Sequence, residues 1–215
     1  MRNASFNAMR RYRPASGSVP PLTRKGEATR QRILEAATKE IGLNGYHIAS
    51  VSSITSEAGV GQGTFYLYFK SKDDLLVELV GKLTNELREL LLEASKNAAS
   101  RLAAERACIQ TFLKYVYENQ RLYRVFMECQ FINPQLHQSS YQDFANHWVK
   151  LLDEASQHGE IVEGDNEVRA WAMMGMHHLL AMRFSVWSNQ APDEEIIDQA
   201  VALIRDGIST RSANC

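Results

Sequence analysis

Between Ser50 and Lys72 the chain carries Gln62, Thr64, Tyr66, Tyr68 and Lys72 among three glycines, Gly59, Gly61 and Gly63. An amide, a hydroxyl and two phenols donate and accept hydrogen bonds, and an ammonium adds charge. That is equipment for holding base edges and phosphates rather than for breaking covalent bonds. Two rival chemistries fit less well. Gly59-Val60-Gly61-Gln62-Gly63 has the glycines of a phosphate cradle, yet it lacks the Gly-Lys-Ser/Thr ending and a flanking strand. His177 and His178 are adjacent, so on a helix they point about 100° apart, and no His or Cys four residues away completes a metal-binding face. We therefore expect no catalytic set, no metal and no cofactor, with one histidine buried and hydrogen-bonded and the other exposed.

Two short helices must position the hydrogen-bonding set. Ser50 can cap a helix over Val51–Ala58, with Val51, Ile54 and Ala58 on its inner face, and Gly59 supplies the left-handed residue that ends it. Val60 plugs the turn. Phe65 and Phe69, four apart, share the inward side of the second helix, which leaves Gly63, Thr64, Tyr66 and Leu67 outward. This is helix-turn-helix geometry.

The same residues, Ala58-Gly59-Val60, Gly63-Thr64-Phe65-Tyr66-Leu67-Tyr68-Phe69 and Ser71-Lys72-Asp73-Asp74-Leu75, make the chain resemble the tetracycline-repressor (TetR) family of bacterial regulators. The likeness runs from Thr23 to about Leu83. It implies that the second helix enters the major groove, where Gln62 and Thr64 reach base edges or phosphates, Gly63 allows close backbone approach and Leu67 meets apolar features such as a thymine methyl. It further implies that Tyr66 and Tyr68 offer hydroxyls to phosphates, that Lys72 and Ser50 bind phosphate at helix starts, and that Arg24 and Lys25, just ahead of the first helix, reach the backbone or a minor groove. Leu67 departs from the family, which often has a polar residue or histidine there.

Charge is distributed unevenly along the chain. Residues 1–32 hold eight Arg or Lys against Glu27 alone, so a net charge of −1 leaves −8 for the remainder. Residues 1–22, with Pro14, Gly17, Pro20 and Pro21, read as a flexible basic arm. No apolar run follows the arginines as a secretory signal requires, and no stretch is long enough to span a bilayer. Cys108, Cys129 and Cys215 are odd in number and widely spaced, which points to free thiols in a reducing cytoplasm.

The spacing of apolar residues is helical throughout, so the fold class is all-α with about nine helices. The first runs from about Lys25 to Leu43. Ser71 caps a fourth, which continues to about Ser95 as a rod some 36 Å long at 1.5 Å per residue. Later helices cover Arg101–Glu118, a segment from Asn119 or Gln120 broken at Asn133-Pro134, about Gln138–Gln157, Asp165 to about Asn189, and Pro192 to Asp206. Residues 23–83 are read as the DNA-binding domain, with the fourth helix as connector, and 84–211 as an effector-binding and dimerisation domain.

That second half is rich in aromatic residues and methionine. Most of them are core, but flat rings and adaptable thioethers also suit an apolar pocket, for which Phe112, Tyr115, Tyr123, Phe126, Met127, Tyr141, Phe144, Trp148, Met174 and His177 are the candidates. The resemblance implies a homodimer through the last two helices, for which Trp171, Gly175, Leu179, Ile197, Val201 and Ile204 suit a four-helix contact. The expectation is a dimeric regulator that represses from a near-palindromic double-stranded DNA operator and is released by a small apolar or amphipathic effector. Alternatives are an activator of the same build, or a helical small-molecule-binding protein or enzyme whose DNA-binding head is not regulatory.

Overall fold

Thr23 accepts a hydrogen bond from the Gly26 N–H and opens the first helix; the computed structural model describes the chain from there to residue 208. The expected basic arm over 1–22, Cys215 and the last residues of the expected second domain lie outside the described residues. Helix α1 (Arg24–Asn44) buries Ile33, Leu34, Ala37 and Ile41 and stops at Gly45, whose φ of 83° a side chain would resist. Arg24 and Lys25 therefore stand in its first turn, not ahead of it.

Helix α2 (Val51–Ala58) begins with a reciprocal cap in which Ser50 and Ser53 each accept the other's backbone N–H at 3.0 Å. It ends at Gly59 in the left-handed conformation, φ 64° and ψ 39°. Helix α3 (Gln62–Tyr68) keeps Phe65 fully buried. Phe69 follows on extended backbone and packs 5.5 Å from the Phe65 ring. Helix α4 (Lys72–Ser95) starts from Ser71, whose Oγ accepts the Asp74 N–H, with Asp73 and Asp74 in the turn where the helix dipole favours carboxylates.

Helices α5 (Arg101–Glu118), α6 (Gln120–Ile132), α7 (Pro134–Gln157), α8 (Asn166–Leu180) and α9 (Glu194–Ile208) complete the described residues, which contain no strand. Three expected bounds move. Pro134 begins α7 instead of breaking the chain before it, because proline's missing N–H is no loss in a first turn and Asn133 accepts the Leu136 N–H. Pro192 stays outside α9, where Asp193 accepts the Glu195 N–H. Helix α8 widens after Leu180 into a π-helical segment over Ala181–Trp187, in which the fully buried Ser185 donates to the Leu113 carbonyl.

The chain divides into two units, the first built from residues up to 85 together with 120–139, the second from 86–119 and 140 onward. Helix α6 thus belongs with the unit that holds α1, α2 and α3, whereas the sequence reading placed it in the second domain. It packs on α1, and the reason is steric: a Cβ on Gly42 would lie 2.7 Å from the Arg121 Cβ, so only glycine allows this approach. In the second unit α5 packs against α8, the π-helical segment and α9 around Ile109, Leu113, Val116 and Ile197.

Candidate nucleic-acid interface

Helix α3 presents a polar and apolar face to solvent over a buried phenylalanine. Tyr66 is 57% and Leu67 75% exposed, Gln62 and Gly63 are exposed, and Thr64 and Tyr68 are half-buried. A Cβ added at Gly61 or Gly63 meets nothing within 4 Å, so packing inside this chain does not require either glycine. What they leave open is the backbone at the start of α3, the end of a helix where N–H groups face outward. Ser50 is exposed, and with its Oγ accepting from Ser53 its O–H is left to donate.

Lys72 is placed differently from the sequence expectation of a phosphate-binding charge. Its Nζ donates to the Tyr46 and Ala49 carbonyls, both at 2.7 Å, and lies 4.1 Å from the Tyr46 ring centroid. Partial burial lowers the ammonium's pKa. With two of three donors satisfied inward, Lys72 chiefly holds the turn that leads into α2 and has one N–H left for a phosphate. Tyr46 in turn donates its hydroxyl to Asp73, and burial first, then that acid, push the phenol's pKa up. Tyr46 was not singled out in the sequence, and its other partner, Glu128, was expected there only as a possible polar anchor for an effector. An aromatic residue just after the helix-closing Asn44-Gly45 was a usable signal, but Glu128 is 82 residues away from the amide it accepts from. Two ion pairs brace the head, Arg30 to Glu78 and Lys39 to Glu57, both at 2.6 Å.

The ten expected effector residues divide between the two units. Tyr123, Phe126 and Met127 sit on α6 in the first unit, where the Phe126 ring lies 4.9 Å from His137. Phe112, Tyr115, Tyr141, Phe144, Trp148, Met174 and His177 fall in the second unit. Tyr115 is committed there to Glu86, which accepts its hydroxyl. Phe144 lies 5.9 Å from the Arg88 guanidinium, and Tyr141 6.4 Å from Trp171. Of the two adjacent histidines His177 is the buried one, edge-on to Trp148 at 4.9 Å but with no hydrogen bond to its Nε2; His178 is half-buried, not exposed, and burial lowers its pKa.

Nothing in the spacing of residues pointed to His177's partner. Glu105, 1% exposed, brings Oε1 to 2.9 Å from His177 Nε2, and its Oε2 takes a 3.2 Å contact from Arg101. The imidazole nitrogen and Oε1 are close but not aligned as a hydrogen bond. Glu105 and Arg101 line a cavity of about 490 Å³ whose apolar wall is Leu102, Ile161, Met173 and Ile204. A second cleft, about 440 Å³, lies along Met176, Leu180, Phe184 and Leu203. The expected effector residues line neither.

The expected dimer residues divide as well. Trp171, Gly175 and Leu179 are exposed on one face of α8, joined by Val168. Ile197 and Ile204, 1% and 6% exposed, are instead core of their own chain, because α9 turns them inward against α5. Val201 is half-buried, and Leu203, 67% exposed, stands outward on α9.

His147 adds a pH dependence to the second unit. Burial, reinforced by Arg101, Lys150 and Arg88, lowers its pKa to about 4. The unfolded chain therefore binds the proton more readily below the ordinary histidine value near 6.5, and stability is lost as pH falls from there toward 4. With about 1.4 kcal/mol per pKa unit, discounted for the ring's remaining exposure, the loss is about 1–2 kcal/mol. Urea melts at pH 7 and pH 5 check it: His147→Gln is expected to flatten this difference, and an equal pH dependence in the variant would reject the assignment.

Comparison with known proteins places these features in context. The family model described as bacterial regulatory proteins, tetR family, matches residues 33–79. The HTH-type transcriptional regulator YdgC of Bacillus subtilis (strain 168) is 31% identical over 165 residues, 74% of this chain and 83% of that protein. The fatty acid metabolism regulator protein of the same organism is 33% identical over 138 residues, 62% and 71% of the two chains. Among solved structures, the transcriptional regulator FadR from Bacillus subtilis in complex with stearoyl-CoA superposes with a TM-score of 0.75 at 28% identity, covering 83% of this chain and 98% of that one.

Proposed function

Because this chain belongs to the tetR family of bacterial regulatory proteins, and is thus a DNA-binding, ligand-responsive transcriptional regulator acting as a dimer, we propose that it represses from a near-palindromic operator and is released by a long-chain acyl thioester. The observation that carries the DNA-binding half is the outward face of α3, Tyr66 and Leu67 standing over the buried Phe65. Two such heads spaced about 34–36 Å apart would meet successive major grooves. The DNA contacts proposed are Gln62, Gly63, Thr64, Tyr66, Leu67 and Tyr68 on α3, with Ser50, Arg24, Lys25 and the remaining N–H of Lys72 on phosphates. The exposed stripe Val168, Trp171, Gly175 and Leu179 on α8 is the proposed dimer face.

The acyl-thioester reading draws on the two relatives concerned with fatty acids, one of them solved with stearoyl-CoA. We place the acyl chain in the second unit's cavity, whose apolar wall of Leu102, Ile161, Met173 and Ile204 suits hydrocarbon, with Arg101 and Glu105 at its polar side. In this reading the chain is a binder and not an enzyme, and it works in the cytoplasm.

Gel-shift titration on an operator selected with the wild-type protein tests both halves. The double variant Tyr66→Ala, Lys72→Ala is expected to lose operator binding. Stearoyl-CoA is expected to weaken the wild-type complex at least about tenfold, a coupling of about 1.4 kcal/mol, while coenzyme A alone leaves it intact. Unchanged binding in the double variant rejects the α3 interface; an operator complex indifferent to stearoyl-CoA rejects the effector class.

A further inference from the structure

One carboxylate from outside the helix-turn-helix holds the turn between α1 and α2. Glu128, on α6, accepts the Tyr46 backbone N–H at 2.7 Å. The approach is close, since a Cβ on the preceding Gly45, itself at φ 83°, would stand 3.3 Å from Glu128 Oε1. Every other polar group of Tyr46 is engaged with the start of α4: its carbonyl accepts from Lys72, its ring lies under the same ammonium, and its hydroxyl donates to Asp73. Lys72 also takes the Ala49 carbonyl, next to Ser50, the residue that caps α2. Two carbonyls, one ammonium, one phenol and two carboxylates thus join α6, the α1–α2 turn and α4 into one bonded group.

We propose that Glu128 is a positioning residue for operator binding: through Tyr46 it fixes the turn from which α2 and α3 are aimed, and so couples α6 to the DNA-reading face. The physical argument is one of degrees of freedom. Residues 45–50 form no helix and would otherwise sample many conformations, each aiming α2 differently. A charge-assisted hydrogen bond on Tyr46, in a turn already closed from the other side by Lys72, removes that freedom. Specific recognition requires base-edge contacts at one geometry, whereas phosphate attraction tolerates a range of them. Loss of the Glu128 contact therefore weakens specific binding and spares non-specific binding. A glutamate that merely satisfied a buried amide would change stability alone.

This inference rests on the reading of α3 as the operator-contacting helix, and the experiment separates the two. Operator and scrambled duplexes are titrated with wild-type dimer, Glu128→Ala, Glu128→Gln and Gly42→Ala, each with a thermal melt by circular dichroism. Glu128→Ala is expected to lower operator affinity at least about tenfold and scrambled-duplex affinity less than about threefold, the same salt slope persisting. Glu128→Gln, whose amide oxygen still accepts from Tyr46, is expected to stay within about threefold of wild type. Gly42→Ala, which forces α6 away from α1 by a clash at Arg121, is expected to reproduce the specific loss through a different residue. The proposal is overturned if Glu128→Ala binds operator as wild type does, if specific and scrambled affinities fall together, or if glutamine restores nothing. A wild-type protein that binds no duplex would overturn the underlying reading as well.

Discussion

Phe65→Ala is expected to eliminate operator binding by unfolding the head, with the second unit left standing. Phe65 has no exposed surface and contacts the rings of Phe69 at 5.5 Å and Tyr66 at 5.3 Å. Truncating a fully buried phenylalanine costs about 3–5 kcal/mol, the lost transfer energy plus a cavity that neighbours fill only in part. Helix α3, 7 residues long, has no side-chain cap at its start and cannot form on its own propensity, so its existence depends on that buried ring. All three tryptophans, Trp148, Trp171 and Trp187, lie in the second unit. Tryptophan emission therefore follows that unit alone, and its urea midpoint is expected to stay at the wild-type value while an earlier transition appears in far-ultraviolet circular dichroism. A variant whose head melts within about 1 kcal/mol of wild type would show that Phe65 is not the residue on which α3 depends.

Glu105→Ala should destabilise the second unit by about 3 kcal/mol, more than its neighbours on α5 would suggest. The carboxylate is 1% exposed, and deleting it leaves the Arg101 guanidinium, itself only 9% exposed, without its 3.2 Å partner. It also removes the charge 2.9 Å from His177. The penalty is that of a stranded charge and not the strength of the pair. A double replacement, Arg101→Met with Glu105→Met, is accordingly expected to recover most of the stability, since an apolar pair has nothing to desolvate. Urea melts followed by tryptophan emission report it directly, because Trp148 sits edge-on to His177 at 4.9 Å. If the double variant is as unstable as Glu105→Ala, the single-variant cost is lost packing, and the stranded-charge argument fails.

How far the fold could be read from the residues differs between the two halves. In the head, the elements are bounded by neighbours in sequence: Ser50 with Ser53, Gly59 at φ 64°, Ser71 with Asp74. Capping and left-handed turns are local physics, so α2 and the start of α4 were placed to the residue. The outward set on α3 follows from helical spacing once Phe65 is recognised as inward. In the second half the same spacing shows that helices exist and leaves their rotation open. Ile197 and Ile204 belong to an apolar stripe that two partners could claim, the chain's own α5 or another protomer, and the stripe itself carries no label to distinguish them. The same ambiguity mixed Tyr123, Phe126 and Met127 of one unit with the aromatic residues of the other.

Periodicity and local turn chemistry by themselves determined an all-helical chain, a glycine-hinged helix pair and the side of α3 that faces outward. Only the tertiary structure decided that α6 packs with the head, that Lys72 spends its charge on two carbonyls, and that Glu105 lies buried beside His177. Each of these depends on contacts between residues far apart in the chain. Helical period fixes which residues share a face, but the neighbour that face meets is chosen by steric fit and charge compensation across distant segments, as where Gly42 admits Arg121.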